Sequence, residues 1–264
     1  MFFFYFVKPG ELLKATLATR RVTNPAMWLL GALSLVLVVM TVAFVFLPLV
    51  AHRRNALRTE SGPARKRRLF ALLYFASIGV AFMVIEVALM QRLSLLLGHP
   101  SYALVVVLFA ILIGTAAGAR LSERVAARPG VGAAAAAAAV VLLASLVGAF
   151  SAGVVRDLIT SSLPVRMALS CALVASFGLV MGMMLPLGMR ILARRDPAVV
   201  PWAWGVNGGT SVLGTALATV VAIHHGFATT FYVGAALYAV AGALGLGLGS
   251  DRGSARSDEG LAPR

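Results

Sequence analysis

The residue best placed to do chemistry is Glu86, in the run Phe82-Met83-Val84-Ile85-Glu86-Val87-Ala88-Leu89-Met90-Gln91-Arg92. Four apolar residues flank it on each side, and burying a carboxylate in such a setting costs at least a few kcal/mol unless it is paired or hydrated. A carboxylate there binds a cation, carries a proton or accepts hydrogen bonds from a neighbouring helix, and the sequence leaves the three open. Arg92 lies six residues on, about 240° around a helix, which is poor geometry for a pair within the helix. A partner for Glu86 should therefore come from another helix, and Arg92 is expected to snorkel to the outer interface. The second candidate is Pro201-Trp202-Ala203-Trp204-Gly205-Val206-Asn207-Gly208-Gly209. Its tryptophans suit a membrane interface, and Asn207 can hydrogen-bond an unwound backbone or a ligand. Asn207 and Trp204 are expected to line the same cavity as Glu86, as substrate-binding residues.

Other polar features point to structure. In Leu97-Gly98-His99-Pro100-Ser101, Gly98 suits a helix end and Pro100 a helix start, so His99 reads as a cap or interface residue, with pH sensing the competing role. His224 and His225 are adjacent and diverge on a helix, and no thiolate or carboxylate has ligand spacing with them, so no metal site is expected. Gly245, Gly247 and Gly249 mimic a nucleotide loop but end an apolar run with no preceding strand. No cofactor is expected. One cysteine, Cys171, forms no internal disulfide and leaves the redox compartment unread.

The elements that must position these residues follow from composition. Of 264 residues, 60% are hydrophobic and 12% charged, with mean hydropathy +0.93; soluble domains carry about 25% charged residues. The chain reads as an all-α polytopic membrane helix bundle, its partner the lipid bilayer. The net charge of +14 does not indicate nucleic acid, because the basic residues sit between apolar stretches and are not interleaved with aromatic ones. A crossing helix needs about 20 mostly apolar residues. Seven such runs occur: approximately Ala26 to Val50, Leu69 to Leu97, Ser101 to Arg120, Gly132 to Val155, Pro164 to Leu192, Trp204 to Ile223 and Ala228 to Gly249. Residues 1–25 form an N-terminal interfacial segment with an aromatic opening, 26–250 the transmembrane domain, and 251–264 a polar tail expected to be disordered.

With seven spans, 16 of the 23 Lys and Arg fall on one side. The other side holds Lys8, Lys14, Arg20, Arg21, Arg92, Arg156 and Arg166. Cytoplasmic segments carry the excess, so the C-terminus is expected in the cytoplasm. Small residues four apart, Gly114/Gly118, Gly178/Gly182 and Gly205/Gly209, are expected to let helices approach closely. Pro186, between Gly182 and Gly188, should kink or loosen the fifth span, as a hinge or a static bend.

The combination of Phe82 to Leu93 with Leu97-Gly98-His99-Pro100, Pro186-Leu187-Gly188-Met189-Arg190 and Trp202-Ala203-Trp204-Gly205-Val206-Asn207-Gly208 resembles the C-terminal membrane region of bacterial spermidine synthase-like multispanning proteins, some fused to major facilitator-type domains. The resemblance covers about residues 69–245. It implies a bacterial inner membrane and ligands of the polyamine class. The opening Phe2-Phe3-Phe4-Tyr5 resembles the end of the synthase-like domain, which would make this chain the tail of a longer or split polypeptide. Aminopropyl transfer needs a Rossmann-like glycine-rich turn and acidic residues for the polyamine, and neither occurs here. This chain alone is therefore not expected to be an enzyme. Without the first span, six helices resemble one half of a facilitator, with Gly114 to Arg124 a degenerate form of its loop motif. A half implies a homodimer or a second membrane chain. The expected function is a transporter-like or small-molecule-binding membrane domain. The alternative is an anchor or assembly domain for a polyamine-forming enzyme supplied by a soluble synthase-like partner.

Overall fold

The computed structural model describes residues 62–250, together with six helical residues (31, 32, 35, 36, 39 and 40) of the first expected span. The N-terminal segment, the rest of that span and the tail lie outside the described residues. The described chain forms helices α1 (Gly62–Leu97), α2 (Pro100–Leu121), α3 (Pro129–Leu158) and α4 (Leu163–Arg195), a 3-10 turn (Pro197–Val199) and α5 (Val200–Ser250). Proline at the first turn of α2, α3 and α4 opens each helix where its missing N–H costs nothing. Gly98 takes a positive φ of 78° between α1 and α2, and the His99 ring accepts from the Ser101 N–H at 3.2 Å, so His99 is the N-cap of α2.

Five helices among the described residues are long and apolar enough to cross a membrane, not seven. The difference lies at both ends of the chain. All but six residues of the first expected span are outside the described residues, and the sixth and seventh form the single element α5. At 51 residues, α5 would be about 77 Å long if straight, more than twice a hydrocarbon core of about 30 Å. It is not straight, because Gly226 has φ 83° and ψ 171°, a conformation open to glycine and to almost nothing else. Close approaches to α1 show what this break does. Asn207 and Thr210 meet Phe75 and Ala76, and Gly214 meets Val80, so residues 200–225 run parallel to α1. Gly234 meets Ile85 and Gly245 meets Tyr74, so residues 227–250 run back along it. The two arms of α5 are a helical hairpin with its tip at Gly226, and each is as long as one crossing.

α1 is the centre of the bundle. It packs along both arms of α5 and borders α2 and α4, while α2 lies on α4 and α3 on α4 and α5. The core holds Tyr74, Phe75, Ile85, Phe177, Leu187, Phe231 and Tyr238, all fully buried. The outer faces are apolar as well, with Val105 63%, Phe109 62%, Leu112 67% and Phe150 65% exposed. Apolar side chains on both faces suit a bundle surrounded by lipid.

The α2–α4 seam is built from glycine, as its spacing suggests. A Cβ on Gly114 would stand 2.5 Å from the Ala175 carbonyl, one on Gly178 2.8 Å from the Ile111 carbonyl and one on Gly182 2.5 Å from Thr115 Cα, while one on Gly118 would overlap the Leu179 carbonyl. Gly205 does not share this role, since nothing approaches within 4 Å of its Cβ position. Pro186 sits inside a continuous α4.

Charge separates along the bundle axis. Arg65 to Arg68, Arg120, Arg124, Arg128, Arg190, Arg194 and Arg195 gather where α1 and α3 begin and α2 and α4 end. Arg68 pairs with Asp196, Arg190 lies 3.8 Å from Glu123, and Arg195 donates to the Leu248 carbonyl at 2.6 Å. Of the described Lys and Arg, the opposite end carries only Arg92, Arg156 and Arg166, with Asp157 beside Arg156.

Candidate functional site

Where α1 meets the first arm of α5, small and polar residues replace apolar packing. A Cβ on Gly79 would stand 2.6 Å from Thr210 Oγ1 and would collide with the Asn207 carbonyl, so only glycine lets these helices touch. Asn207 Nδ2 donates to the Phe75 carbonyl at 3.0 Å and so ties one helix to the backbone of the next, a tie that no water competes for in a bilayer. The Thr210 hydroxyl has the Val206 carbonyl of its own helix at 2.8 Å and the Ala76 carbonyl of α1 at 3.2 Å, and shares its one hydrogen between them. On the other side of α1, the buried Tyr74 hydroxyl donates to the Met184 carbonyl at 2.6 Å, fixing α4.

Beside this junction is a cavity of about 590 Å³. Gly79, Phe82 and Met83 of α1, Thr115 of α2, Met181 and Pro186 of α4, Asn207 and Ser211 of α5 and Tyr238 of its second arm contribute to the wall. The space exists because α2 leans on α4 and the first arm of α5 leans on α1, with no extensive contact between α2 and α5. Its lining is mostly apolar with a few polar groups, the make-up of a small-molecule pocket. Thr115 and Ser211 already donate to carbonyls of their own helices, Leu112 at 3.0 Å and Asn207 at 2.8 Å, so each presents oxygen lone pairs to the cavity. Asn207 commits its amide nitrogen to Phe75 and keeps its oxygen as an acceptor.

Of the three residues expected to meet in one cavity, the structure brings Asn207 to this wall and not the other two. Trp204 is 56% exposed and turns out of the bundle, as an interfacial tryptophan would. Glu86 is buried, 9% exposed, on the α1 face of Phe82 and Met83 and one turn beyond them. No ion pair or hydrogen bond joins it to another described residue, so the partner expected from a neighbouring helix is not found there. Arg92 is half-buried, and its Nε is buried without a hydrogen-bond partner among the described residues.

Arg92 belongs to a group that the sequence alone does not reveal. Gln91 Oε1, Arg92 Nε, Arg166 Nε, Ser170 Oγ and His224 Nε2 are all buried without a hydrogen-bond partner. Helix register sets them close to one level. Phe75 pairs with Asn207 and Val80 with Gly214, which carries His224 to the level of residues 90–92. Tyr74 pairs with Met184 and Leu96 with Arg166, whose Nη1 donates to the Leu96 carbonyl at 2.7 Å; this carries Ser170 to the level of Arg92. Along α1, Glu86 therefore lies between a mostly apolar cavity with a few neutral polar groups and a layer of unsatisfied ones. No group of three metal-binding side chains occurs among the described residues.

No family model, curated protein or solved structure matches the chain.

Proposed function

We propose that this chain is a membrane-embedded small-molecule-binding domain of transporter type, whose ligand carries a protonated amine. One observation carries the reading: a buried carboxylate with no ion pair or hydrogen bond among the described residues lies between a cavity and a layer of polar atoms without hydrogen-bond partners. Buried polar atoms in proteins nearly always have partners, so such a layer fits groups that are met by water or a polar ligand. A carboxylate placed this way draws a cation, and the acceptor oxygens of Asn207, Ser211 and Thr115 suit the donors of an ammonium group. Polyamines are the ligand class implied by the resemblance to spermidine synthase-like membrane regions. Arg92 and Arg166 beyond Glu86 set a polarity, with the amine toward the cavity and any anionic group of the ligand toward the arginines.

In the same reading the two arms of α5 are separate crossings. With α1 to α4 and the span expected at 26–50 they make seven spans. The basic end then faces the cytoplasm of a bacterial inner membrane, with the C-terminus on that side.

The test is thermal stabilisation of the detergent-purified protein by putrescine, spermidine and nucleoside thioethers, in wild type and Glu86→Gln. A ligand that binds only the folded state raises the melting temperature, by about 2.7 kcal/mol of stability at a hundredfold excess over Kd. Saturable stabilisation that Glu86→Gln abolishes, with the variant still folded, is the expected result. No response to any of these ligands, or an equal one in Glu86→Gln, refutes the reading and favours an anchor for a synthase-like partner.

A further inference from the structure

A second cavity, of about 640 Å³, opens at the basic end between the start of α3 and the ends of α4 and α5. Three arginines line it, Arg128, Arg194 and Arg195, and no acidic side chain does among the described residues. Asp196, the nearest acid in sequence, pairs with Arg68. Arg195 is tied to the α5 backbone through Leu248. Arg128 and Arg194 have no ion pair among the described residues.

The floor is backbone. Gly130 and Gly249 approach so closely that a Cβ on either would stand 2.8 Å from the Cα of the other. Arg128 immediately precedes Pro129, the first residue of α3, so the N–H groups of Gly130 and Val131 belong to that helix's first turn and lack acceptors within it. Guanidinium groups and first-turn amides together suit a phosphate. The rim has the opposite character, for Val131 is 56% and Leu246 46% exposed, turned away from the bundle.

We propose that this cavity binds the headgroup of an anionic phospholipid. The phosphate sits between Arg128, Arg194 and the start of α3, and the acyl chains run along Val131 and Leu246. Phosphate is the chemistry recognised, and the apolar rim favours a lipid over a free ion. Basic pockets between membrane helices are suited to such headgroups. The proposal shares with the amine-binding reading only the bilayer setting, and neither depends on the other.

The test measures melting temperature in detergent against added phosphatidylglycerol, phosphatidylcholine and inorganic phosphate, for wild type, Arg128→Gln/Arg194→Gln and the opposite-end control Arg156→Gln. Phosphatidylglycerol should stabilise wild type and R156Q saturably, and phosphatidylcholine should not. The double variant should need about tenfold more phosphatidylglycerol or more, the loss expected for two charge-assisted contacts. If the double variant does not fold, Arg128→Gln alone should show a smaller shift in the same direction. Equal responses to the two lipids, or a phosphatidylglycerol response unaltered by the arginine changes, overturn the proposal. So does stabilisation by inorganic phosphate with none from lipid, which would make this a free-phosphate site.

Discussion

Replacing Gly114 by Ala asks whether α2 and α4 are held by backbone contact. The new Cβ would stand 2.5 Å from the Ala175 carbonyl oxygen, where ordinary contact begins at 3.4 Å, so the helices must part by about 0.9 Å. A radial gap of 0.5–1 Å forfeits about a quarter to a half of the dispersion energy of the atoms it separates. Those atoms lie along a seam that also includes Gly118, Gly178 and Gly182. Overpacking of this kind costs about 1–3 kcal/mol, and the better helix propensity of Ala returns about 0.5–1. A net loss of about 1–2 kcal/mol is expected. Gly153→Ala is the matched control, since that helical glycine has nothing within 4 Å of its Cβ position and should become more stable by about 0.5–1 kcal/mol. Reversible unfolding of both variants in the same detergent gives the comparison. If Gly114→Ala is as stable as Gly153→Ala, α2 and α4 do not meet through backbone and the packing derived from their glycine spacing is wrong.

Gly226→Ala should destabilise by about 1–3 kcal/mol although its site is uncrowded, because the cost lies in φ 83° and ψ 171° and not in contact; unfolding alongside His225→Ala, which should be close to neutral, checks this. Tyr74→Phe keeps the ring against Gly188 and removes the hydroxyl bond to the Met184 carbonyl, so it should cost about 1–2 kcal/mol by the same measurement; a neutral result would mean that this buried bond does not fix α4 on α1.

Much of the fold is legible in the sequence because a bilayer makes local and global demands agree. Length and hydropathy place α2 to α4 within three residues of their observed bounds and α1 at its C-terminal end, since an apolar run of crossing length has no other stable state in lipid; α1 begins seven residues earlier, at Gly62, through a basic turn that hydropathy does not count. The turn at Gly98 to Pro100 and the glycine seam of α2 and α4 are read for the same reason, as glycine and proline act through backbone geometry that spacing reveals. The join between the last two spans is less visible. His224-His225-Gly226 carries no proline or polar loop, and a single glycine with an unusual dihedral turns the chain without interrupting the helical run to either side. Spacing also cannot say which glycine faces which helix, so Gly205 looks like Gly114 in sequence and has nothing near it in the fold.

The candidate site is legible in its parts and not in its assembly. Glu86 stands out alone because an ionisable group in an apolar run is improbable without a reason. Asn207 stands out among glycines, but its amide proves to be partly a staple to Phe75, a role fixed by the close approach at Gly79 and invisible until the two helices are set side by side. Trp204 reads identically as a cavity wall or an interfacial anchor, and only its rotation about α5 separates the two. The layer of Gln91, Arg92, Arg166, Ser170 and His224 draws on three helices, and no spacing within one of them signals it. Register does. Once Asn207 is tied to Phe75 and Arg166 to Leu96, parallel and antiparallel packing carry His224 and Ser170 to the level of Arg92. A carboxylate about one turn from that layer, with a cavity on its other side, has no ion pair or hydrogen bond among the described residues, and that placement is what the amine-binding proposal rests on.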